Sequence, residues 1–117
     1  MSSEFAPALD ALIRHRGVHA SMVVSERDGI VIDSNLQIGQ QGDRLAALAA
    51  SLHRKARLAA RAAGLGHATF MQLEAERGRV FAVGGRDDLV LVVVADPSAN
   101  VGLIRVEMLK CVEALGT

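Results

Sequence analysis

Leu89–Ala95 reads LVLVVVA, seven apolar residues in a row. A strand with one face to water would show a polar residue at every second position, and this one shows none. It is therefore expected to be buried on both sides, in the middle of a sheet, with helices over both faces. Seven residues are far too few to span a bilayer.

The flanking residues supply the rest of the order. Downstream, Asp96-Pro97-Ser98 breaks the strand and caps a last helix with the stripe Val101, Ile104, Met108, Cys111, Val112 and Leu115. Gly102 within it costs roughly 1 kcal/mol against Ala unless something approaches closely there. Upstream, the turn Gly84-Gly85-Arg86-Asp87-Asp88 joins LVLVVVA to a strand over Arg79–Val83, and Arg77-Gly78 joins that to another over Thr69–Ala75. Thr69, Met71, Leu73 and Ala75 share one face of this third strand; Phe70, Gln72 and Glu74 share the other. Earlier still, His19–Ser25 and Ile30–Ser34 are strands joined through Glu26-Arg27-Asp28-Gly29, whose Asp-Gly pair favours a tight hairpin. A first helix carries Phe5, Leu9, Leu12 and Ile13, with Ser2 and Ser3 as cap oxygens, Pro7 near the start and Gly17 as the stop. Gln37–Gly42 is a polar loop, and Asp43 is the expected N-cap of a helix over Arg44–Gly64. The order is α-β-β-α-β-β-β-α, an α+β arrangement in one domain over residues 1–117, without repeat or linker.

Composition narrows the function. Half of the 117 residues are hydrophobic, but Trp and Tyr are absent and Phe5, Phe70 and Phe81 are the only aromatics, so the core is aliphatic. Formal net charge is zero, which argues against a general polyanion binder. The single Cys111 can form no internal disulfide, and Met1–Arg16 holds no apolar signal segment, so a cytoplasmic location is expected.

No catalytic, cofactor or metal residue is assigned. His15 and His19 have i, i+4 spacing, but Gly17 breaks the helix between them. His53 and His67 stand alone, and Cys111 lies in an apolar stripe with no base beside it. Gly64-Leu65-Gly66 follows a helix and opens a strand, the reverse of a dinucleotide-binding loop, so a helix C-cap accounts for it. Gly84-Gly85 suits a hairpin turn. Asp28, Glu76, Asp87 and Asp88 flank turns, while Asp33 lies inside a strand and faces outward. An enzyme using Asp33 or a histidine stays open as an alternative.

The second helix contains five basic residues and no acidic one between Arg44 and Gly64. At about 100° per residue, Leu45, Leu48, Ala49, Leu52, Ala56, Ala59 and Ala63 gather on one side, with Arg54, Arg57 and Arg61 opposite. This places Leu and Ala against the sheet and the arginines toward solvent or a partner. The alanine half lacks the bulky anchors that membrane insertion uses, and the chain lacks the aromatics on which single-stranded nucleic acid stacks. A protein surface bearing carboxylates fits the arginines best. With the fifth strand central, the third lies at an unprotected edge that invites a partner strand. A homodimer is expected there, through Leu45, Leu48, Leu52, Ala56, Ala59, Phe70, Gln72 and Glu74. Arg54, Arg57 and Arg61 of the two copies would form one partner-binding surface.

GVHASMVVSERDGIVIDSN (Gly17–Asn35), the Ala-rich second helix, and DDLVLVVVADPSANVGLIRVEMLKCVEAL (Asp87–Leu115) together resemble the roadblock/LC7 family. The resemblance covers nearly the whole chain in the same element order. It implies a five-stranded antiparallel sheet with helix two on one face and helices one and three on the other, dimerising through strand three and helix two. It also implies a regulator or scaffold of Ras-like small GTPases, as in bacterial gliding-motility polarity proteins, or a dynein light chain. The family carries no shared catalytic motif to transfer.

Overall fold

The computed structural model describes residues 4–36 and 41–114. Its elements are α1 (Ala6–Ile13), β1 (Val18–Ser25), β2 (Ile30–Leu36), α2 (Gly42–Ala62), β3 (Met71–Ala75), β4 (Gly78–Gly84), β5 (Leu89–Ala95) and α3 (Val101–Ala114). The five strands form one antiparallel sheet in the order β2-β1-β5-β4-β3. LVLVVVA is thus the central strand. Val90 and Val92 point into the core beneath α2, and Leu91, Val93 and Ala95 into the core beneath α1 and α3.

The two cores differ in kind. On the α1/α3 side, large side chains interlock: Phe5 at the N-cap of α1, Leu9 and Leu12 within it, Ile104, Met108, Cys111 and Val112 from α3, and Phe81 from β4. On the α2 side, the helix contributes only Ala46, Ala49 and Ala50 against Met22, Val24, Ala82, Val90 and Val92. Alanine buries little apolar area, so close approach replaces bulk and the hydrophobic hold on α2 is the weaker one.

Local chemistry explains the boundaries. Pro7 occupies the first turn of α1, where a missing N–H costs nothing. The helix ends at Ile13, one turn before Gly17, and Gly17 then takes a positive φ at the entry to β1. Asp43 lies inside the first turn of α2 and not at its cap; Gln41 holds the cap position without a side-chain bond. The cap of α3 is Asn100, whose Oδ1 accepts the Leu103 N–H at 3.0 Å. Asp96, expected to contribute there, instead accepts the Ser98 N–H and hydroxyl. Asp87 and Asp88 both have positive φ, and the Leu89 N–H bonds the Arg86 carbonyl at 2.9 Å, as in a type I′ hairpin turn. Gly78 is required at the start of β4, because a Cβ there would lie 2.6 Å from the Ala95 carbonyl oxygen. The register slips once between β1 and β2, at Val23/Val24, leaving Ile32 unpaired. Ser2, Ser3, residues 37–40 of the polar loop, and Leu115 lie outside the described residues.

Candidate functional site

Leu48 and Leu52 of α2 stay largely exposed instead of being buried on the sheet. The buried residues of the helix are Ala46, Ala49, Ala50 and His53; Leu48 is 60% exposed and Leu52 38%. The apolar arc read from the sequence is real, but the sheet covers only its alanine side. Leu45 is half-buried beside the α2-side core, Ala56 half-buried and Ala59 exposed. Gln41, Arg44, Leu45, Leu48, Val80 and Val94 line a groove of about 270 Å³ between α2 and the β4–β5 part of the sheet.

Edge strand β3 continues this surface. Met71 packs against the α2-side core, and Leu73, two residues on and hence on the same face, is 45% exposed. The three sequence-assigned interface residues at this strand, Phe70, Gln72 and Glu74, lie on the opposite face. Phe70 stacks on Phe81 with ring centroids 5.9 Å apart and lies beneath Arg105, whose guanidinium carbon is 4.9 Å from the ring centre. Glu74 pairs with Arg79 at 3.2 Å, and Gln72 is exposed. Leu73 is therefore the β3 side chain that accompanies Leu48 and Leu52, a residue the sequence reading left out.

The three arginines are not equivalent. Arg54 and Arg61 are exposed, whereas Arg57 turns inward and grips Glu26. Its Nε lies 3.1 and 3.3 Å from the two carboxylate oxygens, and Nη2 bonds Oε1 as well. Glu26, at the end of β1, is only 8% exposed and also lies 2.5 Å from Nδ1 of His53, which is 3% exposed. Burial pushes the Glu26 carboxyl pKa up, but hydrogen bonds from Arg57 and His53 and their fields more than offset this, so it lies below its ordinary value. The same contact holds the Arg57 guanidinium above its own. This cluster fastens α2 where alanines alone bury little. It also means that a charge reversal at Arg57 would set two carboxylates face to face, so Arg54 and Arg61 are the cleaner probes of partner binding.

The remaining candidates fall apart by position. His15 lies 3.7 Å from Glu107 and His19 3.2 Å from Asp96, off any shared helix face. Ser98, Asp96 and His19 form a row with the carboxylate in the middle, so the hydroxyl meets Asp96 and no imidazole acts on it. Cys111 is buried, and burial pushes its thiol pKa up, away from the reactive thiolate. Asp33 is half-buried on β2 and its Oδ1 accepts the Ser34 N–H at 2.8 Å. Among the described residues no group of three or more His, Cys, Asp or Glu could hold a metal, and no helix is long and apolar enough to cross a membrane.

The chain matches the Roadblock/LC7 domain model over residues 6–95, from the start of α1 to the end of β5. It belongs to the Roadblock/LC7 family. The uncharacterised protein MJ1340 of Methanocaldococcus jannaschii is 32% identical over 104 residues, covering 89% of this chain and 90% of its own. A Roadblock/LC7 domain from Streptomyces avermitilis superposes with a TM-score of 0.86 at 23% identity, over 97% of this chain and 95% of its own. Myxococcus xanthus MglB gives 0.86 at 21% identity, over 97% and 92%. The element order and the α2-versus-α1/α3 layering are thus those of a Roadblock/LC7 domain. Membership supports a role in protein–protein interaction, in keeping with a surface that carries uncovered leucines and arginines.

Proposed function

We propose that this Roadblock/LC7 domain is a non-catalytic, homodimeric binding module that regulates or scaffolds a Ras-like small GTPase. The observation that carries the reading is the uncovered apolar surface of Leu48, Leu52 and Leu73 beside the unpaired edge of β3. Pairing two β3 edges across a two-fold axis would extend the sheet to ten strands, and the α2 leucines of each copy would cover the other. Ala56 and Ala59 suit that arrangement, because small side chains let two helices approach. The exposed Arg54 and Arg61 of both copies then supply cations for a carboxylate-bearing surface. Family membership, with the roles the resemblance implies, supports the GTPase as that partner.

The test combines two measurements on the purified chain. Light scattering at tens of micromolar should give a dimer, and a panel of small GTPases loaded with GTP or GDP analogues should contain one that binds with a nucleotide preference or changes its hydrolysis rate. Equal binding to both forms with unchanged hydrolysis would favour a pure scaffold. A monomer, or no binding across the panel, would overturn the respective half of the reading.

A further inference from the structure

The C-terminal end of α2 leads into the loop before β3, which the interface above does not use. Helix α2 closes with two short bonds: the Leu65 N–H reaches the Ala60 carbonyl at 2.9 Å, and the Gly64 N–H the Arg61 carbonyl at 3.0 Å. This is a Schellman turn, with Gly64 left-handed at φ +73°. Gly66 is left-handed again at φ +82°. The two reversals fold the chain back, so that Gly66, His67 and Ala68 line a crevice of about 70 Å³ together with Arg57 and Arg61.

We propose that Arg57, Arg61 and His67 form a binding site for a small oxyanion, a phosphate or a carboxylate. Every ionisable side chain lining the crevice is basic, and no carboxylate lines it. Arg57 arrives oriented, because Glu26 holds Nε and Nη2, while Nη1 bonds none of the described residues. Among the described residues, the side chains of Arg61 and His67 make no hydrogen bond or ion pair. His67 adds at least one ring N–H in its neutral form when the tautomer suits, and two when protonated. The crevice is small and has room for more than one water molecule, a size that suits a compact oxyanion.

Electrostatics sets the strength. Glu26 cancels the charge of Arg57, and the end of α2 contributes about −0.5 of a charge, so Arg61 leaves a modest positive balance that protonation of His67 would raise. The carbonyls of Ala59, Ala60 and Arg61 are already occupied by the N–H groups of Ala63, Leu65 and Gly64, so they do not compete for the arginines. Affinity for a free anion should therefore lie in the millimolar range. On the helical wheel Arg61 stands opposite Leu52, so a dimer built on the leucines leaves the crevice open.

Titration of the isotope-labelled chain with inorganic phosphate, and separately with acetate, at constant ionic strength set by chloride, tests the site. The amide resonances of Gly66, His67 and Ala68 should shift and saturate. Arg61→Gln should weaken binding about tenfold, the loss of one charge-assisted hydrogen bond, and Arg54→Gln should leave it unchanged. Saturation by phosphate alone assigns the crevice to phosphoryl groups; saturation by acetate as well extends it to a side-chain carboxylate of a bound protein. Shifts that never saturate, or that survive Arg61→Gln unaltered, overturn the proposal. No GTPase enters the experiment, so it stands or falls apart from the reading above.

Discussion

Glu26 and His53, 27 positions apart in sequence, meet with imidazole Nδ1 2.5 Å from the carboxylate in a site that is nearly closed to water. One residue directly follows β1 and the other sits in the middle of α2, so the contact fixes where the helix lies on the sheet.

Replacing Glu26 by Gln leaves Arg57 and His53 facing a neutral amide. We expect a loss of about 1–3 kcal/mol at neutral pH, the range for a buried polar group deprived of its charged partner. The folded-state carboxyl pKa is lowered, so its contribution is complete above the ordinary carboxyl range and disappears as pH falls through the lowered value. Urea unfolding from pH 7 downward should show the wild-type advantage shrinking in acid; a gap that stays constant with pH would contradict the assignment.

Leu48→Glu removes apolar surface that is already open in the single chain. Its unfolding midpoint should move little under conditions where the protein is monomeric, about ±0.5 kcal/mol as at other surface positions, while sedimentation should show the dimer weakened. Leu12→Glu, which buries a charge in the α1/α3 core, should unfold the chain and serves as the contrast.

Gly78→Ala brings a methyl group against the Ala95 carbonyl, with 2.6 Å of room where contact needs more than 3 Å. Backbone on both sides leaves no flexible side chain to give way. Thermal unfolding should register a loss of about 1–3 kcal/mol, the usual cost of overpacking.

Gly102→Ala should act in the opposite direction. Within 4 Å a Cβ there would meet only Asn100 Oδ1, at an ordinary 3.5 Å. The position is helical and exposed, so the variant should gain about 1 kcal/mol of stability. An unchanged or lowered melting temperature would show that the glycine has a role the helix alone does not reveal.

Much of this could be read before any coordinates. LVLVVVA announced its central place because no polar residue interrupts it, and the Asp-Gly and Gly-rich turns set the strand order around it. The sequence sets Leu48 and Leu52 both against the sheet and in a dimer interface; the sheet leaves them exposed, because a periodic pattern reports which residues share an arc, not which part of that arc the sheet covers. Arg57 was grouped with Arg54 and Arg61 for the same reason, although its direction is decided by Glu26 on another element. A usable signal did exist: His53 shares the arc of Ala46, Ala49 and Ala50, and a histidine turned toward a core requires a polar partner. The identity of that partner is a tertiary fact. The exposure of Leu73 is not legible in the sequence, because strand alternation names two faces without saying which one a helix leaves bare.

The slip between β1 and β2 has a consequence for how many chains can join. A flat sheet with two open rims can add copies at both and grow without limit, the geometry of a fibre. Here β3 and β4 keep an unbroken register, while Ile32 bulges from the outer strand at the other rim. The two rims are therefore unlike: if two chains pair through β3 as proposed, the bulge at Ile32 disfavours addition of a third at the other rim.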